Sequence, residues 1–335
     1  MRPRLVFAMA AAQTRFVFDE AALTRLSDIC DIVSPGPLED LSTPTAREVL
    51  SEAEILVTGW GCPYLSKEIV AAAPRLRLIA HAAGTVKYHL DPAVYEAGIA
   101  VTNAAYANAV PVAEFTLAMI ILAGKRTFEF RDMYRADPTR ASSYTLMDTP
   151  IGNYRRTIGI VGASHIGRRV IELLTHLDYS ILLSDPHVRL GDEICRRAEL
   201  TSLDDLIARS DIVSLHAPSL PSTRHMIGPH ELRRMRDGAT LINTARGALV
   251  DEAALVAELE TGRICAIIDV TDPEIPSPDS ALFRLPNVYL TPHIAGAIGT
   301  ERSRLGHLVA DEIERFIAGV PMKHQVQYAL LKQLA

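Results

Sequence analysis

Short runs of β-branched and apolar residues alternate along this chain with longer stretches whose apolar positions recur at helical spacing. The first series of strand-like runs is RLVFA (4–8), EILVTG (54–59), RLIA (77–80) and IAVTN (99–103). The second is TIGIVG (157–162), SILLSD (180–185), DIVSLHAP (211–218), ATLINTA (239–245), ICAIIDV (264–270) and NVYLTPH (287–293). Unbroken apolar runs of this length suit strands buried on both faces, and helical stretches between them suit parallel βαβ crossovers. Between the two series, VPVAEFTLAMIILAGKRTFEF (110–130) reads as one long helix. The polar stretch after it, RADPTRASSYTLMDTPIGNYRR, has turn residues and little periodicity. A last helix is expected from about Thr300 to Ile317, stopped by Gly319 and Pro321. The pattern predicts an α/β protein with two parallel-sheet lobes joined by long helices, and a cleft between the lobes as the place for a ligand.

Length and composition agree with that picture. A chain of 335 residues is too long for one ordinary core. A net charge of −6 and a pI of 6.0 argue against a nucleic-acid partner. No apolar run is expected to span a membrane. The opening MRPRLVFAMAAAQ has the charge, apolar run and small residues of a short signal peptide, but Arg4–Met9 is read as a first buried strand. Cys30, Cys62, Cys195 and Cys265 are scattered without a C-x-x-C pair. They are expected to be reduced thiols of a cytoplasmic protein, with no metal site.

GASHIG (162–167) sits where a strand pattern turns into a helix pattern, as a dinucleotide-binding loop does. Gly162 permits the tight turn and Gly167 lets the helix pack closely on the sheet. The middle glycine of G-x-G-x-x-G is replaced by Ser164, which is small, can donate to a phosphate oxygen and is a good N-cap. Asp185 ends the next strand, 23 residues after Gly162. A carboxylate there can accept from both adenosine ribose hydroxyls and repels a 2′-phosphate, which favours NAD; His187 and Arg189 nearby keep NADP as the other reading.

Three later runs each place a reactive side chain at a strand's C-terminal end, the edge where parallel sheets collect ligands. They deliver Arg246 followed by Gly247, Asp269 with Glu274 five residues on, and His293 with Ala295 and Gly296 beside it. One such side chain alone is more often a surface charge or a structural histidine, but three at successive strand ends of one lobe are not incidental.

On GIVGASHIGRRV, DIVSLHAPSLPSTRHMIG, LINTARGALVDEAAL, IIDVTDPEIPSPDSALFRLPNVYLTPHIAG and NAVPVAEFTLAMI, the chain resembles the D-isomer-specific 2-hydroxyacid dehydrogenases, over about residues 50–318. The resemblance implies a Rossmann nucleotide lobe (106–304) inserted into a flavodoxin-like substrate lobe (1–105 plus 305–335), each a doubly wound parallel sheet, and a homodimer. It implies an NAD-dependent dehydrogenase of 2-hydroxy acids: hydride addition to a 2-keto acid leaves negative charge on the carbonyl oxygen, which needs a proton donor and electrophilic help. By that resemblance Arg246 is the carboxylate anchor and polariser, His293 the acid/base, and Glu274 the group that raises the basicity of His293. It also places His165 and Ile166 at the pyrophosphate, Ala217 and Pro218 at the adenosine, and Thr244, Ala245 and Asp269 near the nicotinamide, beside Arg246, His293 and Gly296.

Where the family carries a glycine-rich substrate turn, this chain reads HAAGTVKYHLD (81–91). Gly84 and Thr85 can still offer backbone N–H groups, while Val86 replaces a glycine. Lys87 is either a solvent-facing lysine or a second positive group for the substrate or the cofactor phosphates. Trp60, the only tryptophan, is either a lining of the substrate pocket or a packing residue. Tyr328 and Lys332 form a Y-x-x-x-K pair, read as part of an amphipathic tail. The other reading of the whole chain is an NAD-binding corepressor-like regulatory module of the same fold, against which the short tail speaks.

Overall fold

The structure, a computed structural model, describes residues 2–34, 36–139 and 141–331; Lys332 of the Y-x-x-x-K pair lies outside them. The chain divides into two compact units, Met1–Asn108 with Ala297–Ala335, and Ala109–Gly296.

The first unit is built on five parallel strands: β1 (Arg4–Ala8), β2 (Asp31–Ile32), β3 (Ile55–Thr58), β4 (Leu78–His81) and β5 (Ala100–Asn103). Their order is β2-β1-β3-β4-β5. Successive side chains point to opposite faces, so an unbroken apolar run feeds two cores. Leu5, Phe7, Ile55, Val57 and Leu78 pack with Leu26, Leu305, Val309 and Ile313 on one face. Val6, Leu56, Ile79 and Val101 pack with Leu50 and Val94 on the other. Arg4–Ala8 is therefore a core strand, as its apolar run predicts. Burial pushes the Cys30 and Cys62 thiols up to about 12, which keeps them protonated and inert.

The second unit holds seven parallel strands: β6 (Thr157–Val161), β7 (Ser180–Ser184), β8 (Glu199–Leu200), β9 (Ile212–Leu215), β10 (Thr240–Asn243), β11 (Cys265–Ile268) and β12 (Val288–Leu290). The order β12-β11-β10-β9-β6-β7-β8 starts in the middle, winds out through β7 and β8, then returns to β9 and winds the other way. The reversal lies between β6 and β9, beside the glycine loop. Ile158, Ile160, Leu183, Ile242 and Ile267 face Ile120, Val170 and Leu174. Val213, Leu215, Leu241 and Ile268 face Leu206, Leu232 and Leu255. Each fully buried leucine or isoleucine contributes about 1.5–3 kcal/mol of transfer free energy.

Three expectations need correction. The single helix expected over 110–130 is two helices, Ala105–Gly124 and Thr127–Ala136, because Arg126 between them is left-handed, with φ of 51°. The polar stretch that follows is partly helical, over Ala141–Met147. The helix Ala105–Gly124, with Pro111 inside it, is long and apolar enough to cross a membrane by length and composition, although half of its apolar window is buried within the fold. Edge strands β2 and β8 are two residues each, too short to leave a periodic signal.

Candidate functional site

The loops after β9, β6 and β7 meet at the C-terminal edge of the second sheet. Gly162 has φ of 98°, and a Cβ on it would lie 2.6 Å from the Ala217 nitrogen. A Cβ on Gly167 would lie 2.0 Å from the Gly162 carbonyl oxygen. Both glycines are therefore required, one by its φ and both by close backbone approach. Ser164 needs no such freedom: its φ of −64° and ψ of 179° are ordinary extended backbone. It is the N-cap of the helix His165–Leu174, its hydroxyl oxygen accepting from Gly167 N at 3.3 Å. The hydroxyl proton remains free to turn towards an anion at the same helix start. His165 and Ile166 form the first turn.

Asp185 is drawn onto this loop. Its Oδ2 accepts from Ala163 N at 2.7 Å and its Oδ1 from His187 N at 2.7 Å. Each oxygen keeps a lone pair for another donor. Ala217 and Pro218 follow β9, and the Pro218 carbonyl accepts from Thr223 Oγ1 at 2.6 Å. The cradle fits a dinucleotide: glycines where backbone must come close, a helix start that favours an anion, and an acid at the next strand end.

Each unit also holds one buried histidine that sequence reasoning did not single out. His216 pairs through Nε2 with Ser214 Oγ at 2.9 Å, and His81 of the first unit pairs through Nδ1 with Thr58 Oγ1 at 2.8 Å. Burial pushes each down to about 3; for His81 the neighbouring His89 adds to the effect. Both rings stay neutral in the folded chain, while the unfolded chain takes up protons below about pH 6.5. Stability is therefore unaffected above about pH 6.5 and falls as pH drops towards 3, by about 1.4 kcal/mol per pH unit for each ring. Urea titrations of wild type and His216→Gln at pH 4–6 should show the variant's slope smaller by that amount. Equal slopes would mean that His216 is protonated in place.

Arg246, Glu274 and His293 follow β10, β11 and β12, three neighbours in the sheet. His293 Nδ1 lies 2.5 Å from Glu274 Oε1, with both side chains about half exposed. The His293 backbone is left-handed, with φ of 55°, a conformation uncommon outside glycine. It is held there by its own N–H, which donates to Asp269 O at 2.8 Å and Thr291 O at 3.1 Å. Glu274 is fixed in turn by its carbonyl, which accepts from Thr271 Oγ1 at 3.0 Å.

Asp269 is buried under this loop as a bracket. Its Oδ1 accepts from Thr291 Oγ1 at 2.6 Å and Ile294 N at 2.8 Å, and its Oδ2 from Ala295 N at 2.9 Å. Its carboxylate thus shapes the segment that carries His293 and Gly296. The Thr244 hydroxyl, expected near the nicotinamide, is buried against Thr116 Oγ1 at 3.0 Å.

The Arg246 turn is shaped by Asn243, whose Nδ2 donates to Arg246 O at 2.9 Å and whose Oδ1 accepts from Ala245 N at 3.1 Å. Arg246 Nη1 donates to Ala245 O at 2.6 Å, which leaves the rest of its fork for a ligand. Sequence reasoning noted Gly247 only as a neighbour. A Cβ there would lie 2.0 Å from the Thr271 carbonyl carbon, so this glycine lets the Arg246 turn touch the Glu274 loop.

In the first unit, Thr85 Oγ1 accepts from Lys87 N at 3.2 Å, and Val86 is buried in the core, which anchors the substituted turn. A Cβ on Gly84 would meet open space. Lys87 Nζ lies 5.7 Å from the Tyr88 ring centre. Trp60 is partly buried and stands under the Arg302 guanidinium. Asp204, His230 and Glu231 bring possible metal-ligating atoms within 4.8 Å of one another, but Glu231 Oε2 already accepts from Gly228 N.

Residues 117–295 match the family described as D-isomer specific 2-hydroxyacid dehydrogenase, NAD binding domain. The chain is 35% identical over 315 residues to a glyoxylate reductase of Aeropyrum pernix, covering 91% of this chain and 92% of that one. It is 34% identical to a D-3-phosphoglycerate dehydrogenase of Mycobacterium leprae, covering 75% of this chain and 47% of that one. A solved phosphoglycerate oxidoreductase of Rhizobium etli shares the fold, with a TM-score of 0.82, 22% identity, and coverage of 97% of this chain and 99% of that one. A glycine cradle with an acid at the next strand end, in a chain so related, makes this protein a member of the D-isomer specific 2-hydroxyacid dehydrogenases, an NAD-dependent oxidoreductase.

Proposed function

We propose that the chain reduces a 2-keto acid to its D-2-hydroxy acid, with Arg246 as carboxylate anchor, His293 as proton donor and Glu274 as the group that holds and orients His293. The observation that carries this reading is the 2.5 Å contact between His293 Nδ1 and Glu274 Oε1 beside the Arg246 turn. Bound NADH supplies the hydride that reaches C2. Arg246 binds the substrate carboxylate through its planar fork and draws electron density from the adjacent carbonyl. A carboxylate at Nδ1 makes that nitrogen a donor and leaves Nε2 to give its proton to the carbonyl oxygen as charge develops there. In the reverse direction the same nitrogen takes the hydroxyl proton.

Gly162, Ser164, His165, Ile166 and Gly167 hold the pyrophosphate, and Asp185 the adenosine ribose, in this reading. Ala217 and Pro218 flank the adenosine; Ala245 and Gly296 line the nicotinamide side. Gly84 and Thr85 offer amides to the substrate, with Trp60 and Lys87 beside them. The family resemblance also supports a homodimer and a cytoplasmic enzyme.

The test is NADH oxidation, followed by absorbance, against a panel of 2-keto acids that includes glyoxylate, hydroxypyruvate and longer chains. Turnover with at least one member is expected, giving the D-enantiomer on chiral chromatography for every product whose C2 is a stereocentre, which glycolate from glyoxylate is not. Tight NADH binding with no turnover across the panel would overturn the reading.

A further inference from the structure

Three loops of the second unit, after the neighbouring strands β9, β10 and β11, are joined beside the Arg246 turn. The loop after β9 is folded on itself by Thr223, whose Oγ1 donates to Pro218 O at 2.6 Å and accepts from Leu220 N at 2.9 Å. It then turns at His225, whose backbone is left-handed with φ of 52°, a conformation uncommon outside glycine. His225 N donates to Ala248 O at 2.8 Å and Ile227 N to Leu249 O at 3.0 Å, so the segment is laid along the Arg246 turn. Backbone strain of this kind persists only where surrounding contacts hold it, and it collects at functional sites.

The residue that this strained turn presents is Arg224. Its Nη1 donates to Asp272 Oδ2 at 2.9 Å, and Asp272 stands two residues before Glu274 in the loop after β11. Asp272 N would lie 2.5 Å from a Cβ on Gly247, so the same residue also meets the Arg246 turn. A second acid is close by. Burial pushes the Glu252 carboxyl up, although the Asp272 N–H bonds to it, and the Asp272 charge adds to the rise. Asp272 thus has a like charge among its neighbours, and Arg224 is the cation that offsets it. Thr271 Oγ1 donates to Glu274 O at 3.0 Å and carries the placement of this loop on to Glu274, which lies 2.5 Å from His293 Nδ1.

We propose that Arg224 is a positioning residue for the reaction: its ion pair with Asp272 sets the loop after β11 so that Glu274 reaches His293 Nδ1. It acts through Glu274 and not on the substrate. The inference rests on the roles proposed above for Glu274 and His293, and adds the residue that sets their contact.

The full chain carries the test. Arg224→Met should lower kcat on the best acid of the panel by about 5- to 20-fold, since a misplacement of about 1 Å costs up to about 100-fold. KM for the acid and the NADH dissociation constant should stay within about twofold, because Arg246 and the glycine cradle are untouched. An exposed ion pair adds little to stability, so the thermal midpoint should hold. Arg224→Lys should keep most of the rate. In a Glu274→Ala background, Arg224→Met should cost less than about twofold, because the contact it sets is already gone; an independent structural effect would multiply in full. A second readout needs no turnover. In protein carrying isotope-labelled histidine, nitrogen NMR at alkaline pH, where the rings are neutral, shows which nitrogen holds the proton. The His293 signals, identified by their loss in His293→Ala, should place it on Nδ1, and Arg224→Met should spread it over both nitrogens. If Arg224→Met is unfolded, Asp272→Asn breaks the same pair and takes its place. A wild-type kcat, an unchanged tautomer or full additivity with Glu274→Ala would each overturn the inference and leave the catalytic reading standing. A tautomer that shifts in a chain without turnover on any keto acid would sustain Arg224 as the residue that sets the contact and overturn the catalytic reading.

Discussion

His293→Ala is expected to lower kcat for 2-keto acid reduction by about 10²- to 10⁴-fold, the usual contribution of a positioned general acid. The dissociation constant for NADH, read from its fluorescence, should stay within about threefold, a change worth less than 1 kcal/mol. The separation follows from position. His293 leaves the loop after β12, and its ring is turned to Glu274 at 2.5 Å, whereas the glycine cradle lies after β6. Glu274→Gln keeps a hydrogen-bond partner but removes its charge, so it should cost less than His293→Ala. A kcat within threefold of wild type for His293→Ala would remove His293 from the acid role. A matching loss of NADH affinity would show collapse of the whole edge.

Gly247→Ala should be almost as damaging, although the side chain it adds is one methyl group. That methyl would stand 2.0 Å from the Thr271 carbonyl carbon, 2.1 Å from its oxygen and 2.5 Å from Asp272 N. These are backbone atoms, and no rotamer change relieves the overlap. Either the Arg246 turn or the loop that carries Glu274 must move by about 1 Å, and a misplacement of that size can cost about 10²-fold in rate. Overpacking should also cost about 1–3 kcal/mol of stability. Gly228→Ala is the control, since a Cβ there makes only ordinary contacts at 3.5 Å. Steady-state kinetics and urea unfolding of both variants decide the matter; wild-type kcat/KM in Gly247→Ala would show that the turn yields freely.

The long strands and most crossover helices were legible in the sequence because both are local patterns. An apolar run such as ILVT over Ile55–Thr58 or TLIN over Thr240–Asn243 reads as a buried strand whatever its neighbours are. The glycine loop was legible because two of its glycines and Asp185 stand at fixed distances along one βαβ unit. Arg246 and His293 were legible because each follows a strand end, and parallel strands bring their ends to one edge; Glu274 lies in the acidic loop after such an end and was picked out within it by the family resemblance.

Other features depend on contacts between segments far apart in the chain. The break at Arg126 interrupts a helical pattern that continues on both sides of it. Ser164 stands where the fingerprint carries its middle glycine, and only its extended backbone and its cap on Gly167 show that the position does not need a glycine's φ. The three donors that Asp269 gathers from Thr291, Ile294 and Ala295 lie more than twenty residues away from it along the chain.

By itself, then, the sequence determined two parallel-sheet units, a dinucleotide loop and an Arg–Glu–His set, because periodicity and strand-end position are properties of short segments. Only the tertiary structure decided that Gly247 must lack a side chain, that His81 and His216 are buried and neutral, and that the Arg302 guanidinium stands over Trp60. Those facts are set by which distant backbones and rings come within a few ångströms, and no local pattern encodes that distance.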